Sequence, residues 1–145
     1  VIPALIRRFH EAKLAGTPSV AIWGTGTPRR EFLYVDDMAA ASVFVMNLDA
    51  TTYAANTTPM CSHINVGFGS DVTMAEDATT LAAPVAHPGQ VTLDATQPAG
   101  APRKGMDSTR LNALGWHAQC DLAQGLQAAY AGFVAAHGVA HSGKA

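Results

Sequence analysis

A tryptophan and two arginines lie close together in the sequence, around a glycine-containing turn. Trp23 ends a short apolar run, residues 24–28 form the turn, and Arg29 and Arg30 follow it. An indole offers a flat apolar face to a nucleobase, and a guanidinium can donate two hydrogen bonds to phosphate oxygens. The spacing suggests a nucleotide-binding element, but it leaves open the alternative of a core tryptophan beside solvated arginines.

Other cations could join this group in the folded chain. Arg8 lies in an N-terminal helical pattern, and Arg103 and Lys104 lie in a loop rich in Pro and Gly. Because the net charge is −2, an anionic ligand must be bound by a few placed cations rather than by a basic surface. The same charge argues against nucleic acid or an anionic membrane as a partner.

The sequence lacks the motifs of a complete catalytic apparatus. It has no Gly-x-Ser-x-Gly elbow, and its six histidines are scattered without metal-ligand spacing. The Tyr-x-x-x-Lys pair of short-chain dehydrogenases is also missing, since none of the three tyrosines is followed by lysine at that spacing. We therefore assign no catalytic, cofactor-binding or metal-binding residue.

One glycine pair resembles part of a phosphate-binding loop. Gly67 and Gly69 follow a short apolar run, as in a dinucleotide site. Such a site requires Gly or Ala three residues after the second glycine, and Val72 stands there instead. We expect a glycine turn that links a strand to a helix.

Composition indicates a globular chain of 145 residues, with 48% hydrophobic and 14% charged residues. Cys61 and Cys120 are too few for a disulfide framework, so we expect reduced thiols and a cytoplasmic protein. No apolar run reaches the roughly 18 residues of a membrane span. Val1 leads straight into a helical pattern, which hints at a truncated N-terminus.

Hydrophobic periodicity predicts a mixed α/β domain of short strands and about five helices. The first helix should end at Gly16, and a capping box from Thr73 to Glu76 should start another. Asp36 and Asp37 should lie at the N-terminus of a helix whose buried stripe is Met38, Ala41, Val45 and Leu48. Further helices are predicted around Leu111 and from Leu122 to Val134. Strands are predicted at 19–23, 63–66 and 90–93. Residues 31–35 should be extended, and residues 49–61 should be irregular.

Residues 30–39, REFLYVDDMA, resemble the REF-x-x-VDD-x-A segment of the extended short-chain dehydrogenases, the NAD-dependent epimerase/dehydratase family. Three later segments agree in order and spacing: 64–67, 102–107 and 114–126. The resemblance implies a small mixed α/β substrate-binding domain, with the family's N-terminal Rossmann half absent. Residues 1–136 would form this C-terminal part and 137–145 a frayed tail.

Within that family, the resemblance is strongest to the epimerase/reductases that convert GDP-4-keto-6-deoxy-D-mannose to GDP-L-fucose. They epimerise C3 and C5 and reduce the C4 ketone with NADPH. Their NADP(H) site and Ser/Tyr/Lys catalytic set lie in the Rossmann half, so the isolated chain should be inactive. The resemblance also implies a homodimer for the full-length enzyme.

The same resemblance implies a GDP-sugar site. Its basic and aromatic members match Arg8, Trp23, Arg30 and Lys104, and its apolar wall around the guanine matches Val1, Leu5 and Ile22. Asp77 departs from the pattern, which favours a leucine-like residue there. Two alternatives stay open: another nucleotide-sugar epimerase, dehydratase or reductase, and a non-catalytic binding module derived from this half.

Overall fold

The computed structural model describes residues 1–138, and the chain divides into two compact units. Unit 1 comprises Val1–Pro28, Val72–Pro102 and the segment that begins at Ala123, and unit 2 comprises Arg29–Asp71 and Arg103–Leu122. Residues 1–136, expected to form one substrate-binding part, are thus shared between two units. Residues 139–145 of the predicted frayed tail lie outside the described part of the chain.

The observed elements confirm a mixed α/β chain. In order they are α1 Ile2–Ala15, β1 Ser19–Trp23, β2 Arg29–Arg30, α2 Val35–Met46, α3 Ala50–Asn56, β3 Val72–Thr73, α4 Met74–Val85, β4 Gln90–Asp94, β5 Arg103–Lys104, α5 Thr109–Ala113 and α6 Leu122–Gly138. Among residues 1–138, no helix is both long and apolar enough to cross a membrane.

Unit 1 is built around α1 and a parallel pair of strands. Leu5, Ile6 and Phe9 form the buried face of α1, and Gly16 ends the helix with a left-handed φ of 64°, as predicted. Strands β1 and β4 pair in parallel, from Ser19 beside Gln90 to Trp23 beside Asp94. Parallel strands need a crossover connection, and α4 leads directly into β4.

Helix α4 begins at the predicted capping box. The Glu76 amide donates to the Thr73 hydroxyl at 3.1 Å, and the Thr73 amide donates to the Glu76 carboxylate at 2.7 Å. Asp77, one residue further, is fully buried beside Ala78 and Leu81. Neither of its carboxylate oxygens has a hydrogen-bond partner. Burial therefore raises the pKa of Asp77 to about 6, because the charged form is poorly solvated.

Helix α6 lies in unit 1 over nearly all of its length. Leu126 is buried as predicted, whereas Val134 at the end of the predicted stripe is 39% exposed. His10 of α1 lies 3.0 Å from the Tyr130 hydroxyl, and its ring centroid is 5.2 Å from that of Phe133. These aromatic contacts join α6 to α1.

Unit 2 has a core of Ala41, Leu111 and Trp116. The predicted stripe of α2 is wrong at its first position, since Met38 is 45% exposed and Asp37 is buried instead. The Asp37 carboxylate accepts hydrogen bonds from the backbone amides of Gln119 and Cys120, at 3.1 and 2.9 Å. Because its charge is satisfied in this way, an acidic residue can occupy the inner face of the helix.

Three other segments of unit 2 differ from the prediction. Residues 63–66 form no strand, although Ile64 and Val66 pack against the core and so produce the alternating pattern. The segment 49–61 is not wholly irregular, because it contains α3, whose N-cap Asp49 accepts from the Thr52 amide at 2.9 Å. Helix α2 also starts at Val35, inside the predicted extended segment.

The buried carboxylate of Asp77 predicts an unusual pH dependence of stability. Its pKa is about 6 in the folded chain against 3.8 as the reference, so the folded state binds the proton more tightly. The contribution of Asp77 to the free energy of unfolding should be fully present below pH 4. It should fall by about 3 kcal/mol as the pH rises through 6. Urea unfolding at pH 4.5 and 7 should show about 2 kcal/mol of this loss in the unaltered chain, because part of it has already occurred at pH 4.5, and none of it in Asp77→Asn. An equal pH dependence in both would contradict it, and Asp36→Asn, at an exposed carboxylate, is the control.

Candidate functional site

Arg8 and Trp23 are brought together in unit 1. The Arg8 guanidinium donates to the carbonyl oxygen of Ala21 at 2.7 Å, and its Cζ lies 5.7 Å from the centroid of the Trp23 ring. That distance is within the range of a cation–π contact. Trp23 is 59% exposed, so the alternative of a core tryptophan is wrong.

The alternation of β1 explains why the indole faces outward. Val20 and Ile22 are buried and Ala21 and Trp23 are exposed, because successive side chains of a strand point to opposite faces. Gly24 ends the strand with a φ of 82°, and its amide donates to the Asp94 carbonyl at 2.8 Å. The strand and the turn together fix the position of the Trp23 side chain.

The three apolar residues predicted to line the guanine have different environments. Leu5 and Ile22 are 7% and 3% exposed and belong to the core of unit 1, whereas Val1 is 62% exposed. Leu5 and Ile22 therefore offer little accessible surface of their own. They lie in the same helix as Arg8 and the same strand as Trp23, so their packing holds that pair in place.

Arg30 and Lys104 lie side by side in unit 2. Strands β2 and β5 pair in parallel, with Arg29 beside Arg103 and Arg30 beside Lys104. The Arg30 guanidinium donates to the carbonyl oxygen of Arg29 at 2.7 Å. Lys104 is exposed and borders a cleft of about 300 Å³. Two predicted cations are thus adjacent on one short ladder.

The other two cations of this ladder share one carboxylate. Asp71 accepts from Arg29 at 2.6 Å through one oxygen and pairs with Arg103 through the other. Hydrogen bonds from Arg29 first, and from Arg103 second, lower the pKa of Asp71, because they stabilise its charged form. Asp71 therefore offsets charge on the Arg29–Arg103 pair.

Glu31 contacts the backbone around Lys104, and the sequence did not indicate this. Its carboxylate accepts from the Gly69 amide at 2.7 Å and from the Met106 amide. Its backbone amide donates to the Lys104 carbonyl at 3.1 Å. These partners lie 38 and more residues away in the sequence, so no local pattern could have revealed them.

The Glu31 carboxylate of the same chain lies against the Gly67–Gly69 turn. A Cβ on Gly67 would lie 2.5 Å from a Glu31 carboxylate oxygen, and the Gly69 amide already donates to that carboxylate. A dinucleotide loop needs such amides for phosphate. The turn does not fit NADP(H), and the described residues include no cluster of three or more His, Cys, Asp or Glu that could hold a metal ion.

Sequence and structure comparisons identify the relatives of the chain. The NAD dependent epimerase/dehydratase family model matches residues 1–67. A GDP-L-fucose synthase of Escherichia coli (strain K12) is 54% identical over 92% of the chain, and GDP-L-fucose synthase 1 of Arabidopsis thaliana is 45% identical over 90%. A solved GDP-mannoheptose C4 reductase from Campylobacter jejuni, with NADP bound, superposes over 91% of this chain and 44% of its own, with a TM-score of 0.78 and 32% identity.

Residues 1–67 therefore match the NAD dependent epimerase/dehydratase family. The chain is similar over nearly all of its length to proteins named GDP-L-fucose synthase. It spans only 42% and 38% of the length of the two curated relatives above.

The close approach at Gly67 yields a testable prediction. Gly67→Ala should destabilise unit 2 by about 1–3 kcal/mol, because the added methyl group would collide with the tethered Glu31 carboxylate and with Met106. Gly132→Ala in α6 is the matched control: a methyl group there would meet nothing within 4 Å, so it should stabilise by about 0.5–1 kcal/mol. Urea unfolding measures both changes, and an unaffected Gly67→Ala would contradict the close approach.

Proposed function

We propose that this chain supplies GDP-sugar binding to an enzyme that forms GDP-L-fucose from GDP-4-keto-6-deoxy-D-mannose. In that reaction C3 and C5 are epimerised, and NADPH then reduces the ketone at C4. The observation that carries the proposal is the Arg8–Trp23 pair, which combines an exposed indole with an oriented guanidinium. The homology to GDP-L-fucose synthases supports the choice of nucleotide-sugar.

The Arg8–Trp23 pair suits the nucleotide end of such a ligand. The exposed indole face can stack on a purine, which is flat and polarisable. The carbonyl of Ala21 orients the Arg8 guanidinium without neutralising it, because a carbonyl carries no net charge. In this proposal Trp23 contacts the base and Arg8 binds a phosphate, with Val1, Leu5 and Ile22 as the apolar surroundings of the guanine.

Arg30 and Lys104 are proposed as ligands of the diphosphate. Their adjacency on the β2–β5 ladder gives two cationic side chains at neighbouring backbone positions. Arg can donate two hydrogen bonds to one phosphate, and Lys acts as a mobile point charge. The pairing of Asp71 with Arg29 and Arg103 assigns those two arginines a structural role instead.

The redox and acid–base chemistry is assigned to other residues of the enzyme. We propose that NADP(H) and a Ser/Tyr/Lys set belong to a Rossmann half outside the 145 residues, and that the full-length enzyme is a homodimer. NADPH would supply the hydride for reduction at C4. Because that cofactor and that set would lie outside this chain, the chain by itself should bind the nucleotide-sugar without turning it over.

Fluorescence can test the choice of nucleotide. GDP should quench the emission of Trp23, whereas Trp116 is 9% exposed and should contribute a constant background. UDP should quench less at equal concentration, because its base is smaller. Trp23→Phe should abolish the GDP-dependent change, and Trp116→Phe should retain it. Preference for UDP would favour a different nucleotide-sugar enzyme, and no response to either nucleotide would contradict GDP-sugar binding by this chain.

Arg30 provides a test of the diphosphate ligands. Arg30→Ala should weaken GDP binding by roughly 1.5–3 kcal/mol, the loss of a charge-assisted hydrogen bond. Arg7→Ala is the control, since Arg7 is exposed and pairs with Glu11 on the surface of α1. Calorimetric titration with GDP gives the affinity, and a melting curve shows whether each variant is folded. An affinity unchanged in folded Arg30→Ala would mean that Arg30 does not bind the ligand.

A further inference from the structure

We propose that Glu31 is a positioning residue, which fixes the backbone around Lys104 so that its ammonium group is presented to the diphosphate. This inference rests on the proposed GDP-sugar function and adds a specific role for a residue that binds no ligand itself. It is carried by the hydrogen bonds that Glu31 makes to the Lys104 carbonyl and to the Met106 amide.

Glu31 holds the backbone that directly follows the Lys104 side chain. The backbone amide of Glu31 donates to the Lys104 carbonyl at 3.1 Å, and the Glu31 carboxylate accepts from the Met106 amide. Gly105 stands between these two points and would otherwise leave the segment flexible. The segment that follows the lysine is therefore held by one residue at both ends.

The second carboxylate oxygen of Glu31 fixes its orientation. It accepts from the Gly69 amide at 2.7 Å and fills the space where a side chain at Gly67 would lie. The Gly69 and Met106 amides are both donors, so together they require two acceptors. A carboxylate meets this need, because it has two acceptor oxygens and no donor. Glutamine has a single acceptor oxygen, and its NH2 group would face an amide donor. Glu31→Gln should therefore release one tether while the side-chain size is kept.

Lys104 borders the cleft of about 300 Å³ together with Leu33, Val66 and Met106. A lysine side chain is long and mobile, so fixing its backbone lowers the entropy lost when its ammonium group binds a phosphate. The effect should fall on the terminal phosphate that Lys104 reaches. Affinity for GDP should then depend on Glu31, and affinity for GMP should not.

The experiment compares GDP and GMP affinities, measured by calorimetric titration of the full chain, for Glu31→Gln, Lys104→Gln and the double variant. Lys104→Gln should weaken GDP binding about tenfold, and Glu31→Gln about three- to tenfold, with GMP affinity unchanged in both. In the Lys104→Gln background, Glu31→Gln should change GDP affinity less than about twofold, because the two residues act as a unit.

Glu76→Gln is the matched control. Glu76 also accepts a backbone amide with its carboxylate, but in the capping box of α4, so its variant should bind both nucleotides as the unaltered chain does. Amide hydrogen exchange without ligand should rise at Met106 or Gly69 in Glu31→Gln and at neither in Glu76→Gln. Unchanged exchange at both amides overturns the tether.

The outcomes separate the two proposals. Suppose that the unaltered chain binds GDP. If Glu31→Gln then weakens the binding of GDP and of GMP equally, the positioning role is wrong and the GDP-sugar function stands. The same holds if Glu31→Gln weakens GDP binding as much in the Lys104→Gln background as in the unaltered chain. An unchanged GDP affinity in Glu31→Gln likewise overturns the positioning role alone. If the unaltered chain binds neither nucleotide, both proposals are overturned.

Discussion

One hydrogen bond, from the Arg8 guanidinium to the carbonyl oxygen of Ala21, determines how unit 1 presents its cation. The donor lies on α1 and the acceptor on β1, so the bond forms only when helix and strand are packed together, and Leu5 of α1 and Ile22 of β1 are both buried. A carbonyl orients the guanidinium without cancelling its charge. The charge therefore stays beside the Trp23 ring, where an anion attached to a stacked base can meet it.

In unit 2, cationic side chains lie beside one another on paired strands. The β2–β5 register places Arg29 beside Arg103 and Arg30 beside Lys104, so repulsion accompanies the pairing. Asp71 offsets it for the first pair, and Glu31 holds the backbone next to the second. Both carboxylates support the ladder. A chain with a net charge of −2 can thus concentrate positive charge locally.

The sequence was most informative where structure depends on neighbouring residues. The Gly16 stop, the Thr73–Glu76 capping box and strands β1 and β4 are confirmed, because each has a local signal. Long-range contacts were not predictable: the Asp37 bonds to residues 119 and 120 place Asp37 instead of Met38 on the inner face of α2, and the Glu31 tether has partners far along the chain. For the site, the sequence suggested Trp23 with arginines, but only the fold shows that Arg8 lies over the ring while Arg29 pairs with Asp71.

The exposed face of Trp23, beside Arg8, is the proposed binding surface for the nucleobase. The chain has two tryptophans, so its indole N–H groups give two signals in a proton–nitrogen NMR spectrum. On titration with GDP, the Trp23 signal should shift progressively and saturate, while that of buried Trp116 stays in place, and Arg8→Ala should weaken the response. A Trp23 signal that does not move while GDP binds elsewhere in the chain would contradict the account.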